Sequence, residues 1–371
     1  MEKFYPIMMN KIISLTKKFI SIRSDPENAE ELDRILKIAL SNLEGYRVEQ
    51  FESNGYKSAL IYNTPMRPSK FKIILNGHLD VISGKEYQYV PQIRNNRLYG
   101  VGSMDMKANV ACLIMVFREI ANQVNYPLGL QLVTDEETGG FNGTKHQIDR
   151  GVRADFIIAG ETTNFQIVNK AKGVLLVKIS VKGETAHGAY PWKGENAIWK
   201  MNKLLSLLEK KYPIPKQEKW VTTINLSRIE TSNRSFNKIP DDCATWLDIR
   251  YIPEEADTIV GEIKALLPTG FKLDIVTNEQ ALLVDRNNQY LKVLKKVGKQ
   301  ITKKKVSVYG AQGTSDARHY SRVNCNGIEF GPIGGGIGTD NEWVDIPSLE
   351  TYCQILKSFL LSLENVKREM R

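Results

Sequence analysis

Four short stretches of this chain place acids and a histidine where chemistry is done. "IILNGHLD" sets His78 and Asp80 directly after an apolar run. "LQLVTDEETGG" does the same for Asp135, Glu136 and Glu137, and "FIIAGETT" for Glu161. "GVGSMDMK" sets Asp105 at the entrance to an apolar helical pattern. One imidazole with several carboxylates is a mixed nitrogen and oxygen donor set, which suits zinc, with cobalt or manganese as alternatives. Calcium and magnesium favour oxygen donors alone. His78 and Asp80 stand two positions apart and point the same way on a strand, so Asp80 is placed to hold the far nitrogen of a metal-bound ring. Glu136 and Glu137 are adjacent and cannot share one direction on a regular strand. One is then available to a metal and the other to substrate as a general base. Singly, each cluster also reads as a solvated acidic turn or a packed histidine. The ordered set is the signal.

These clusters need a scaffold that gathers strand ends. In open α/β sheets, sites form outside the carboxyl ends of the strands. "FKIILNG", "LGLQLVT" and "ADFIIAG" read as buried strands, and "MKANVACLIMVFREIANQ" as a helix. "SDPENAEELDRILKIALSNLEGY" carries a helix start and a glycine stop. Such alternation predicts an α/β domain with a mostly parallel central sheet covered on both faces. After about residue 172 the character changes. "GVLLVKISVKG", "ENAIWKMNKLLSLLEKKY", "WVTTINLSRIE", "CATWLDIRYI", "ADTIVGEIKALL" and "FKLDIVT" follow in the order β-α-β-β-α-β. That order is a split βαβ, ferredoxin-like unit. The expected organisation is a discontinuous domain of residues 1–172 and 285–371, with an α+β domain of residues 173–284 inserted.

Composition excludes other classes. The 371 residues are 42% hydrophobic and 25% charged, as in globular domains that bury a core. Net charge is +9. The densest basic run, "VLKKVGKQITKKKVSV", has no interleaved aromatics and reads as a solvated helix face leading into a strand, not as a nucleic-acid surface. Cys112, Cys243, Cys325 and Cys353 are scattered, as expected of packing residues in a reducing compartment. In "MEKFYPIMMNKIISLTKKFISI", lysines interrupt the apolar positions in the manner of an amphipathic helix, and no run is long enough to span a bilayer. The expected location is the cytoplasm.

The ordered motifs resemble the M20 family of metallopeptidases and deacylases. "NGHLDVI", "GVGSMDMK", "TDEETGG" and "AGETT" carry the likeness. "GETAHGAYPWKGENAI" is similar to the family's HxxxP…GxNAi segment, "NKIPDDCATWLDIRY" to its N-x-IP…DiR segment, and "AQGTSDARHY" to its G-T-S-D segment. The resemblance covers nearly the whole chain. It implies a zinc-peptidase-type catalytic domain with an inserted dimerisation domain. It assigns His78, Asp105 and Glu161 to one zinc, with Asp105 bridging to a second held also by Glu137. Glu136 becomes the general base, taking a proton from the attacking water and passing it to the departing amine. Asp80 supports His78. His187 stabilises the oxyanion, entering from the partner subunit of a homodimer. Asn237, Arg250, Thr314 and Ser315 contact substrate. For Asn237 and Arg250 the competing readings are a turn cap and a structural ion pair at a strand end. The implied substrate is an N-acyl amino acid or a dipeptide. The short, simple insert favours the desuccinylase and deacetylase branch.

One feature departs from the pattern. The resemblance implies a further ligand in an H-x-x-x-E arrangement near the C-terminus. In "GPIGGGIGTDNEWVDIP", Glu342 matches the Glu and Gly338 stands where the His belongs. Four readings follow: Asp340 supplies a carboxylate, His319 supplies an imidazole, the second site holds no ion, or the chain is a catalytically impaired relative acting as a binding or scaffolding protein.

Overall fold

The structure is a computed structural model that describes residues 4–363. The chain divides into two compact units. One comprises Met1–Lys170, Leu283–Tyr309 and Ser315–Arg371, and the other Ala171–Leu282 with Gly310–Thr314. The breaks fall near, not at, the expected limits of residues 172 and 285. Segment Gly310–Thr314 also groups with the second unit instead of the first. There Gly310 packs so closely on Trp220 that a Cβ would lie 2.6 Å from its ring, and Gln312 Nε2 donates to the Lys219 carbonyl at 3.3 Å.

The first unit is built on a mixed sheet. Its centre runs in the order Leu128–Val133, Phe71–His78, Ala154–Ala159, Asn326–Glu329, with every adjacent pair parallel. These strands are continuous apolar runs because both faces are covered. In Phe71–His78, Ile73 and Leu75 enter one core while Phe71 and Ile74 enter the other. Helices Phe4–Ile20, Ala108–Ile120, Gln289–Thr302 and Ile346–Ser362 pack the first core. The second is closed by residues of the short helices Thr144–Asp149 and Ala317–Ser321, including Ile148 and Tyr320. All four cysteines are buried and free.

Two hairpins escape a reading based on alternation. Arg47–Ser53 and Tyr56–Tyr62 form an antiparallel edge joined at Asn54 and Gly55, whose φ values are +47° and +83°. Asn-Gly is the residue pair that such a left-handed turn demands. Gln92–Arg94 and Arg97–Tyr99 turn through Asn95 and Asn96 in the same way, at φ +51° and +59°. The latter hairpin extends through Trp343–Asp345 to Gly334–Gly335 as a small antiparallel sheet. It places Glu342 beside the Gly102–Asp105 segment.

The second unit is a four-stranded antiparallel sheet in the order Thr223–Glu230, Asp242–Tyr251, Gly173–Lys182, Phe271–Glu279. Helices Ala197–Lys211 and Ile259–Leu266 interrupt the strands as the β-α-β-β-α-β pattern predicts. Leu175, Val177, Ile179 and Val181 alternate inward, against Leu247 and Ile249 of the neighbouring strand and Met201 and Leu204 of the helix. Asn196 starts that helix by accepting from the Ile198 and Trp199 amides.

Candidate metal centre and active site

His78 is the last residue of its strand and is buried. Its Nδ1 lies 3.0 Å from the Asp80 carbonyl oxygen. A carbonyl only accepts, so Nδ1 carries the proton and Nε2 is turned inward. Nε2 is 3.0 Å from Asp105 Oδ1 and 4.0 Å from Glu161 Oε1. The Asp80 carboxylate stands slightly farther from Nδ1, at 3.5 Å. Its Oδ2 accepts the Glu137 amide at 2.9 Å. Asp80 thus ties the strand bearing His78 to the turn bearing Glu137, and its backbone, more than its side chain, orients the ring.

Asp105 sits in a tight segment that ends in helix Ala108–Ile120. Gly102 opens it at φ +71°, where a Cβ would overlap Val81. Glu342 holds the segment. Its Oε1 accepts the Met104 and Asp105 amides at 2.8 and 3.1 Å, and its Oε2 accepts the Gly102 amide at 3.0 Å. Beneath lies Lys107, fully buried, donating from Nζ to the Ile22 carbonyl at 2.9 Å. Burial pushes its amine down to about 7, opposed by the charges of Glu342 and Asp80.

Glu136 and Glu137 follow strand Leu128–Val133 in the short turn Glu136–Thr138. That turn is gripped from behind. The Gly139 carbonyl accepts from Arg318 Nη2 at 2.7 Å and faces His319 Nε2 at 2.9 Å. Asp135 Oδ2 accepts the Asn142 amide at 2.7 Å. Glu161 follows strand Ala154–Ala159, and its carbonyl lies so close to Gly331 that a Cβ there would overlap it.

The ligand atoms of His78, Asp105 and Glu161 lie within 4.8 Å of one another, the one such cluster among the described residues. Burial raises Glu136 and Glu161 well above the ordinary glutamate range, with the His78 charge opposing it and neighbouring acids reinforcing it. Burial likewise lifts Glu137 to about 7. Burial alone would lower His78, but hydrogen bonds to Asp105 and Asp80 outweigh it and raise the ring well above its ordinary value. A half-buried group of acids around one buried imidazole lacks positive charge, and the convergent nitrogen and oxygen donors fit a divalent transition ion.

The other anticipated residues fall elsewhere. The Asp340 carboxylate pairs with Lys85 at the surface, which holds it below the usual carboxylate range. His319 is buried against Gly139 and the ring of Phe141. Neither joins the cluster. Ser315 is buried beside Glu329, whose carboxyl burial pushes up to about 7, and Thr314 ends the segment grouped with the second unit. In that unit, His187 and Asn237 are exposed on joined loops. The Gly188 amide donates to the Asn237 carbonyl at 2.7 Å, and His187 bridges Lys238. The Ala189 amide donates to His187 Nδ1 at 3.1 Å, which leaves the proton on Nε2. Arg250 is engaged by Asp248 through two contacts of 2.7 and 3.1 Å.

Sequence reasoning missed Lys107, Arg318 and the anchoring role of Glu342. Lys107 and Arg318 had a faint signal, since each stands two positions after a motif acid, Asp105 or Asp316. Their burial did not.

The model of Peptidase family M20/M25/M40 matches residues 74–362. The chain therefore belongs to that family of hydrolases acting on amide bonds. It is 26% identical over 315 residues to a succinyl-diaminopimelate desuccinylase of Pelagibacter ubique, covering 76% of this chain and 81% of that protein. Among solved structures it is similar to the aminopeptidase PepT of Bacillus cereus, with TM-score 0.78 and 18% identity, covering 96% of this chain and 99% of that one. A dinuclear metal binding M20 peptidase of Bacillus subtilis superposes with TM-score 0.72 at 13% identity, covering 97% and 99%. Among the described residues no helix is long and apolar enough to cross a membrane.

Proposed function

We propose that this chain is a metal-dependent hydrolase of N-acyl amino acids or small peptides, with Glu136 as its general base. The observation that carries this reading is the convergence of His78, Asp105 and Glu161 at the carboxyl edge of the sheet, with Glu136 in the turn beside them. These three residues would hold zinc, cobalt or manganese; when bound, the ion polarises the scissile carbonyl and acidifies a water. Glu136 takes the proton of the attacking water on its carboxylate and delivers it to the departing amine nitrogen. Burial among acids keeps Glu136 basic enough to accept that proton. Asp80 and Glu342 act on backbone, fixing the turn of Glu137 and the segment of Asp105.

The remaining roles fall to His187, Asn237, Arg250, Thr314 and Ser315. His187 Nε2–H is a donor suited to the oxyanion, delivered from the partner in a homodimer formed through the inserted domain. Asn237, on the joined loop, and Arg250 meet the substrate. Arg250 exchanges Asp248 for a substrate carboxylate that its planar fork matches. Thr314 and Ser315 line the same substrate path.

The test is Glu136→Gln, assayed on a panel of N-acyl amino acids and dipeptides with zinc content measured in parallel. Loss of turnover with metal retained is expected. Full activity in that variant removes Glu136 from the mechanism. Wild-type chain with neither metal uptake nor amidase activity favours the impaired binding protein.

A further inference from the structure

A cavity of about 200 Å³ opens beside Asp105, and Val81, Ile82 and Gly338 form part of its wall. Three carboxylates face it, from Asp105, Glu137 and Glu342, and the remaining wall includes Ile82 and Ile337. It is the place beside the first cluster where a second ion would sit. Its donors are too few. Both oxygens of Glu342 are occupied by backbone amides of Gly102, Met104 and Asp105. Asp105 Oδ1 faces His78. Glu137 and the other oxygen of Asp105 remain. Gly338 has no donor atom, and the carboxylate of Asp340 is held by Lys85. Zinc sites take three or four protein ligands.

We infer that this chain binds a single divalent transition-metal ion, at His78, Asp105 and Glu161, and leaves the space beside Gly338 without one. The inference rests on the metal-dependent reading above. It sets this chain apart from the dinuclear neighbour of the same fold. Gly338 is the residue that decides it. It adopts φ +67°, a conformation histidine tolerates better than most side chains, and a Cβ built there meets only Ile82 Cδ1, at 3.7 Å. The space for an imidazole exists.

The experiment is zinc stoichiometry. Chelator-stripped full-length chain is titrated calorimetrically with zinc, and the ion retained after gel filtration is counted by elemental analysis. Wild type should retain one equivalent, and Glu137→Gln should still retain one. Gly338→His should retain two. Two equivalents in wild type, falling to one in Glu137→Gln, overturn the inference and leave the metal-hydrolase reading standing. No retained zinc overturns both. A single retained equivalent in a folded Gly338→His chain shows that Gly338 does not decide the count and overturns its assignment. If that variant does not fold by circular dichroism, the wild-type and Glu137→Gln counts decide the matter.

Discussion

Glu342 holds Asp105 by its backbone: the Glu342 carboxylate accepts the Asp105 amide at 3.1 Å while the Asp105 side chain faces His78. The two residues are far apart in sequence and meet because the hairpin around Arg97–Tyr99 pairs with Trp343–Asp345. Glu342→Ala would leave the Gly102, Met104 and Asp105 amides without their acceptor in a buried site. Each lost partner costs about 1–3 kcal/mol if water does not replace it. The expected outcome is a lower urea midpoint and weaker zinc binding, with Glu342→Gln recovering part of both. Unchanged zinc affinity in Glu342→Ala would remove Glu342 from the support of Asp105.

Gly331 is pressed against the carbonyl of Glu161. A methyl group there cannot be accommodated without moving the end of strand Ala154–Ala159. Gly331→Ala should therefore raise the zinc dissociation constant by about tenfold or more, since a ligand displaced by a fraction of an ångström is poorly aimed. Calorimetric titration checks this. Stability alone falling, with zinc affinity intact, would show that the strand end yields without displacing Glu161.

The two donors on the Gly139 carbonyl, Arg318 and His319, hold the turn that presents Glu136 and Glu137. His319→Gln keeps an N–H within reach of that carbonyl, whereas His319→Leu removes it. Turnover should fall in His319→Leu and recover in His319→Gln, with KM changing less than kcat. Equal rates in both variants would separate the grip on Gly139 from catalysis.

His319 also predicts an acid sensitivity. Burial first, then the charge of Arg318, hold its ring well below the ordinary value of 6.5. The folded chain keeps it neutral, while the unfolded chain takes up a proton as pH falls through that value. Its contribution to stability is present above about pH 6.5 and is lost progressively below it. Urea midpoints measured between about pH 8 and about pH 5 should fall less steeply in His319→Gln than in wild type. Parallel slopes would place the acid sensitivity in other groups.

Much of the scaffold is legible in the sequence because its signals are local. A strand covered on both faces must be a continuous apolar run, and the polar residues that follow must lie at its end. That is why His78, Glu136 and Glu161 stand out as strand-end residues from the amino-acid order alone. The inserted unit is visible because one buried face imposes strict alternation, as in Leu175, Val177, Ile179 and Val181. The Asn54-Gly55 and Asn95-Asn96 hairpins carry local signals too, in residues that accept positive φ, and a reading centred on alternation passes over them.

The sequence by itself determined which segments become strands and helices, and which acids and imidazoles sit at their ends. Side-chain period and backbone preference act over a few residues, so they are written locally. Only the tertiary structure decided which of those groups meet. Asp340 and His319 are both candidates by residue type, but Lys85 takes one and the Gly139 carbonyl the other. Glu342 became an anchor for backbone amides, and Gly338 became part of the wall of a cavity beside Asp105 and Glu137. Those outcomes depend on pairings between distant segments, and no local pattern records which carboxylate will find an amide, a lysine or a metal ion.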